Sequence, residues 1–315
     1  MLIALAIIGG FLILTFGAEA LVRGASSLAL KLGITPLVIG LTIVAFGTSA
    51  PELTVSLKSA LAGNPGIAIG NVIGSNIANI GLILGITALI RPIQIQSQMV
   101  KRDIPIMIIA SLLFLGLNSD ENLSLLDGAI LTSLLVSYLI FSYLSGKKAD
   151  KEEISCIEIS GPKPLNPLIA SLFILAGISM LVGGGILFVD GAVELAGLFG
   201  ISELIIGLTI VAIGTSMPEL VTSVVAARKG ESDIAIGNVV GSNLFNILGI
   251  LGITALLHPI ASSGLQLLDM GVMLILAIVL LPLAWTGMRI GRREGALLLV
   301  AYLCYLGYLI NSASA

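Results

Sequence analysis

The sequence predicts an all-α membrane protein of ten transmembrane helices in two inverted five-helix repeats, with helices 2, 3, 7 and 8 broken around a shared polar centre. Three observations carry this. The first is composition: 57% of the 315 residues are hydrophobic, 10% are charged, and the mean hydropathy is +1.13. A soluble domain would carry about 25% charged residues, so this chain has too much apolar surface for one soluble core. The second is duplication. Residues 33–92 and 200–259 align without a gap at an offset of 167, and 38 of the 60 paired positions are identical. The third is where the polar residues fall. Each copy holds a Gly-Thr-Ser-x-Pro-Glu run (Gly47 to Glu52, Gly214 to Glu219) and a Gly-Asn-Val-x-Gly-Ser-Asn-x-x-Asn-Ile run (Gly70 to Ile80, Gly237 to Ile247). Polar groups at that depth in a bilayer are costly and mark an ion or substrate path.

The spans follow in order along the chain. Residues 2–16 resemble a signal h-region, but no positive n-region precedes them and the apolar pattern continues through Leu21 to Leu32, so they read as a retained first helix. Ten windows of about 20 apolar residues run over 2–31, 35–60, 66–90, 102–118, 124–145, 166–196, 201–227, 233–257, 265–287 and 294–312. The first and sixth are longer than a bilayer requires and should tilt. The one sizeable polar stretch, Ser145 to Pro164, carries Lys147, Lys148, Asp150, Lys151, Glu152 and Glu153. It divides the chain into a first repeat (1–145), a cytoplasmic linker (146–165) and a second repeat (166–315).

Charge then sets orientation. Lys31, Arg91, Lys101, Arg102, Lys147, Lys148, Lys151, Lys163, Arg228, Lys229, Arg289, Arg292 and Arg293 fall on one side of a ten-span arrangement, thirteen of the fifteen basic residues. Arg23 and Lys58 are the exceptions, and Asp120 and Glu121 lie opposite. The positive-inside rule therefore places both termini outside the cytoplasm. Five spans is an odd number, so the second repeat enters the membrane inverted. That architecture builds its sites near the midplane, at the repeat interface.

Pro51 has no N–H and its ring clashes with the carbonyl four residues back, at Gly47. The helix should kink or unwind around Ala45 to Ser49 and free carbonyl oxygens toward protein or a water-filled cavity. Thr48, Glu52 and Ser56 share one helix face, and Thr215, Glu219 and Ser223 repeat it. Ser75 and Asn79 share a face in the third span, as do Ser242 and Asn246 in the eighth. If the halves pack about a pseudo-two-fold axis, Glu52 and Glu219 converge, and two carboxylates in a dry core need protons or cations. The ligand types are all oxygen, which suits hard cations such as Ca²⁺ or Na⁺. Glu19, Arg23, Asp190, Glu203 and His258 read as helix-end or structural polar residues. Cys156 and Cys304 form no metal spacing and read as free thiols.

The runs Ala45-Phe46-Gly47-Thr48-Ser49-Ala50-Pro51-Glu52 with Gly74-Ser75-Asn76-Ile77-Ala78-Asn79, and Ala212-Ile213-Gly214-Thr215-Ser216-Met217-Pro218-Glu219 with Gly241-Ser242-Asn243-Leu244-Phe245-Asn246, resemble the alpha-repeats of the calcium/cation antiporter superfamily, within it the sodium/calcium exchangers of prokaryotic type. The resemblance implies ten helices and electrogenic exchange of Na⁺ for Ca²⁺ in a plasma membrane. It implies Glu52 and Glu219 as shared carboxylates and Thr48 and Thr215 as further Ca²⁺ ligands. The carbonyls of Ala45 and Ala212, with Ser49, Ser75, Ser216 and Ser242, would serve Na⁺, and Asn79 and Asn246 would be central polar ligands. In this picture the first and sixth helices slide across a more static core. Some members, the potassium-dependent ones included, have Asp where this chain has Asn246, which argues against K⁺ co-transport.

The expected partners are Na⁺, Ca²⁺ and the lipid bilayer, with no nucleic acid, no obligatory protein partner and no cofactor. A Ca²⁺/H⁺ antiporter on the same scaffold is the alternative, since close carboxylates also take protons. A channel would need a continuous pore, and an intramembrane enzyme would need a Ser/Lys dyad, a paired Asp motif or a His-Glu-x-x-His run, none of which the spans contain.

Overall fold

Proline stands at the first or second position of six helices (Pro36, Pro51, Pro65, Pro105, Pro167 and Pro218), where its missing N–H has no helical partner in any case. A computed structural model describes residues 2–146, 165–198, 212–261 and 267–314. Its first half comprises α1 (Leu2–Leu32), α2 (Pro36–Thr48), α3 (Ala50–Leu61), α4 (Pro65–Ile90), α5 (Ile104–Leu117) and α6 (Leu125–Gly146). The second comprises α7 (Pro167–Leu198), α8 (Ala212–Thr215), α9 (Met217–Lys229), α10 (Ser232–Leu257), α11 (Leu267–Trp285) and α12 (Arg292–Ser314). Gly63 and Gly230, equivalent at the offset of 167, end α3 and α9 with φ of +80° and +90°, a left-handed turn that glycine adopts without strain.

Among the described residues, seven helices are long and apolar enough to cross a membrane, and α2 with α3 make an eighth if the bent pair is one span. The expected span 102–118 is a 14-residue helix, α5, about 21 Å long at 1.5 Å per residue. A π-helical turn, Met99–Asp103, precedes it. The expected span 201–227 is described only from Ala212, and Cys156 and Glu203 lie outside the described residues.

The expectation that helices 3 and 8 are broken is corrected by the structure. α4 and α10 run continuously for 26 residues each. Neither holds a proline in its interior. Each instead widens into a π-helical segment, Asn79–Leu84 and Phe245–Leu251, which accommodates the polar stretch without interrupting the axis. Among the described residues, the break falls at α2/α3 and α8/α9. There α2 and α3 meet at 47° across Ser49, with φ −83° and ψ 9°. Ser216 matches it at −88° and 7°.

The duplication extends beyond residues 33–92. Two short antiparallel ribbons exchange under the offset of 167: Ile93↔Ile290 with Gln94↔Arg289, and Ile260↔Leu123 with Ala261↔Asn122. The N-terminal caps of α6 and α12 also match, Asp127 accepting from the Ser124 N–H (2.9 Å) and Glu294 from the Gly291 N–H (3.0 Å). Reciprocal contacts of this kind are what a pseudo-two-fold axis produces.

α1 and α7 pack along glycine stripes, Gly10, Gly17, Gly24 against Gly177, Gly184, Gly191, each set spaced by seven and the sets offset by 167. Gly10 meets Gly184 and Phe188, Gly17 meets Gly177 and Leu181, and Gly24 meets Ala170 and Ile174. As the number rises on α1 it falls on α7, so these equivalent helices run antiparallel. α4 and α10 lie innermost, α10 almost wholly buried. α6, α11 and α12 turn most of their surface outward with exposed Phe141, Ile275, Leu297 and Leu303, an apolar face suited to lipid.

Candidate functional site

The break in each bent helix starts the site. Pro51 removes the N–H that Gly47 O would accept, and Pro218 does so for Gly214. The carbonyl of Ala45, expected to be freed, still accepts the Ser49 N–H at 3.0 Å and lies 3.3 Å from the Thr48 hydroxyl. Gly47 is therefore the carbonyl whose helical donor is missing. Ala212 opens the described part of the second bent helix.

At the bend, Ser49 and Ser216 each reach the other half. Ser49 Oγ donates to Glu219 Oε1 at 2.8 Å, and Ser216 Oγ donates to Glu52 Oε1 at 3.2 Å. Both glutamates are about 1% exposed, and their carboxylates are close enough to interact electrostatically. Thr48 approaches the Glu219 carboxylate and Thr215 that of Glu52. The Thr48 hydroxyl also donates to Asn238 Oδ1 at 2.9 Å.

A ring of asparagines surrounds this pair. Asn71 Nδ2 donates to Glu52 O (3.1 Å) and Ser56 Oγ (2.9 Å), and Asn238 Nδ2 to Glu219 O (3.3 Å) and Ser223 Oγ (3.0 Å). These bonds tie α3 to α4 and α9 to α10. Deeper in, Asn79 Nδ2 donates to Asn243 Oδ1 and Asn246 Nδ2 to Asn76 Oδ1, both at 2.9 Å. Sequence reasoning placed Asn79 and Asn246 but gave no role to Asn71, Asn238, Asn76 or Asn243. Their identity at the 167 offset was the available signal.

Six buried oxygens at this centre have no hydrogen-bond partner: Glu52 Oε2, Glu219 Oε2, Asn79 Oδ1, Asn246 Oδ1, Ser75 Oγ and Ser242 Oγ. They form three pairs at the offset of 167. A buried polar atom without a partner costs roughly 1–3 kcal/mol, and more if charged. Thr87 and Thr254 form another such pair, about two turns further along α4 and α10. The central set is six oxygens and no sulfur or imidazole, a donor chemistry for a hard cation. Of the sequence-derived residues, Glu52, Glu219, Ser49, Ser216, Thr48, Thr215, Asn79 and Asn246 come together across the halves, and Ser75 and Ser242 stand one turn before the asparagines.

The remaining candidates are peripheral. Glu19 and Asp190 are exposed, and Arg23 lies over the Phe173 ring at 5.5 Å. His258 caps α10 with Nδ1 2.9 Å from Pro259 O. Cys304 is free and exposed.

Comparison with known proteins agrees with this geometry. The family model described as sodium/calcium exchanger protein matches residues 2–144 and 169–311, two segments at the same offset of 167. The chain is 40% identical over 309 residues to the putative antiporter CaxA of Alkalimonas amylolytica, covering 96% of this chain and 97% of that protein. It is 36% identical over 339 residues to the sodium/calcium exchanger MaX1 of Methanosarcina acetivorans, covering 94% and 95%. The structure of the sodium-calcium exchanger NCX_Mj, soaked with 2.5 mM Na⁺ and 0.1 mM Ca²⁺, superimposes with a TM-score of 0.84 at 31% identity over 98% of each chain. A duplicated fold, a paired-carboxylate centre and matches over both halves lead to one conclusion: the chain belongs to the sodium/calcium exchanger family.

Proposed function

We propose that this protein exchanges Na⁺ for Ca²⁺ across a plasma membrane by alternating access, through ten spans in two inverted repeats (1–145 and 166–315) joined by a cytoplasmic linker (146–165). The observation that carries the proposal is the set of six unpartnered oxygens between the halves. Two carboxylates match the charge of one Ca²⁺ or two Na⁺, and the hydroxyl and amide oxygens can hold a further Na⁺. Ca²⁺ takes six to eight oxygens at about 2.3–2.6 Å, a number within reach of this set and the backbone carbonyls at the two bends.

The antiparallel packing of α1 and α7 supports inversion. The charge difference between equivalent ends supports the orientation. Arg289, Arg292 and Arg293 stand where the first repeat has Asn122, Leu125 and Leu126, a strong positive bias on one face of a shared scaffold. Both termini then lie outside the cytoplasm.

One departure from symmetry supports alternating access. α1 packs along α9, whereas its counterpart α7 makes no comparable contact with α3. Val221 on α9 is buried, while its equivalent Thr54 on α3 is exposed. The helix that follows the bend is therefore covered in the second half and uncovered in the first. Exchanging the two arrangements would cover the outer side and open the inner. In a background without Cys156 and Cys304, Thr54→Cys is expected to react readily with a membrane-impermeant thiol reagent and Val221→Cys to resist it. Conditions that favour the inward-open state should reverse that order. Equal labelling of both positions in every condition contradicts a two-state gate.

The coupling ion is tested in proteoliposomes. A Na⁺ gradient should drive uptake of ⁴⁵Ca²⁺, and a pH gradient should not. The opposite result replaces Na⁺ by H⁺ and leaves the Ca²⁺ site standing.

A further inference from the structure

Two methionines sit against the asparagine ring, and the exchange reading does not account for them. Asn243 Nδ2 donates to Met107 Sδ at 3.5 Å. Asn76 Nδ2 donates to Met273 Sδ at 3.8 Å and to Asn243 O at 3.4 Å. Both methionines are about 1% exposed, on α5 and α11. We infer that Met107 and Met273 are positioning residues for the cation site. Through Asn243 and Asn76, their thioethers hold the Oδ1 atoms of Asn79 and Asn246 toward the transported ion. The inference rests on the reading of those oxygens as cation ligands.

The argument is one of amide orientation. A side-chain amide is planar, with an acceptor on one branch and a two-proton donor on the other. Asn79 gives its Nδ2 to Asn243 Oδ1, which leaves Asn79 Oδ1 on the opposite branch, buried and unpartnered. Asn246 does the same with Asn76. If Asn243 rotated by half a turn, it would offer protons to Asn79. Asn79 would then have to turn as well and present N–H protons, not an oxygen, to the cation. An acceptor beside Asn243 Nδ2 opposes that rotation, since the rotated state sets Oδ1 against the sulfur lone pairs. Met107 is that acceptor, and Met273 acts likewise on Asn76.

Sulfur suits the place. A thioether accepts weakly from N–H and is a poor ligand for hard cations. It can orient an amide beside a Ca²⁺ or Na⁺ site without itself becoming a ligand. The two relays differ in strength. Asn76 has a backbone carbonyl as a second acceptor, whereas Asn243 Nδ2 donates to Met107. Met107 should therefore matter more than Met273.

The test uses the full-length protein in detergent and in proteoliposomes. Ca²⁺ affinity is read from the Ca²⁺-dependent rise in melting temperature, and transport from ⁴⁵Ca²⁺ uptake. Met107→Leu keeps the volume and removes the acceptor. It should weaken Ca²⁺ about 3- to 10-fold, below the 10- to 100-fold usual for partners directly behind a metal ligand, and raise KM more than it lowers the maximal rate. Met273→Leu should have the smaller effect. Met107→Gln, which restores an acceptor of similar reach, should recover part of the loss. In an Asn243→Ala background, Met107→Leu should add less than about twofold, because coupled partners are not additive.

Unchanged Ca²⁺ affinity in a folded Met107→Leu protein overturns the inference and leaves the exchange reading intact. So does an equal loss in both backgrounds, which would mark Met107 as core packing alone. If the unaltered protein shows neither a Ca²⁺-dependent melting shift nor Ca²⁺ flux, the cation-site reading itself fails, and the relay with it.

Discussion

Glu52→Gln and Glu219→Gln are each expected to abolish exchange while leaving the protein folded. Glutamine matches the shape of the carboxylate and can still accept the serine hydroxyl that crosses from the other half. It removes one of the two negative charges that a divalent ion must meet. Partners behind a metal ligand are already worth 10- to 100-fold, so loss of a charged ligand should lower Ca²⁺ flux by more than about 100-fold. Stability should move the other way. Removing one of two neighbouring buried carboxylates relieves repulsion, so the cation-free melting temperature should stay level or rise. Cation binding should then add little. The unaltered protein should gain about 2.7 kcal/mol at a Ca²⁺ concentration one hundred times its Kd, and the variants should lose most of that gain. Uptake of ⁴⁵Ca²⁺ with thermal melts at graded Ca²⁺ measures both. Normal flux in either variant would remove the roles assigned to the pair.

Gly177→Leu is expected to prevent α1 and α7 from packing. A Cβ at Gly177 would sit 2.6 Å from Leu21 N and 2.8 Å from Gly17 O, and both obstacles are backbone. Side chains can rotate away from such contact, but a helical backbone cannot. Gly17 and Gly184 meet the partner helix in the same way. Overpacking of this kind costs typically 1–3 kcal/mol, and more where nothing yields. The expected result is a loss of monodisperse folded protein on size exclusion, or a clearly lowered melting temperature. Gly183→Leu is the control, because a Cβ there meets nothing within 4 Å. Equal behaviour of the two variants would show that close approach of α1 and α7 is unnecessary.

Much of the site could be read from the chain because the duplication marked it. One Thr-Ser pair or one proline in a membrane helix has ordinary structural explanations, but two copies at one spacing do not. Glu52 with Glu219, Ser49 with Ser216 and Asn79 with Asn246 were singled out in this way, and the structure buries all six and joins each to the other half's motif except that the two glutamates meet it through the serines. The methionines escaped for a definite reason. Met107 and Met273 are 166 residues apart, not 167, so a gapless alignment sets each against an unrelated residue, and thioethers among apolar neighbours carry no polar signal. The continuity of α4 and α10 escaped as well. The polar stretch signalled a break, whereas in place each helix takes it up by widening into a π-helical segment.

Sequence alone determined that this chain belongs in a bilayer, that it is built twice, and that its polar residues recur at the same positions in both halves. These are properties of hydropathy and of residue identity at a fixed spacing, both local. Only the tertiary structure decided that Ser49 completes the surroundings of Glu219 and Ser216 those of Glu52, that α1 and α7 meet backbone to backbone, and that α9 is covered while α3 is not. Those outcomes depend on how two folded halves dock, and docking places residues some 167 positions apart within a hydrogen bond of each other, by packing that no local pattern encodes.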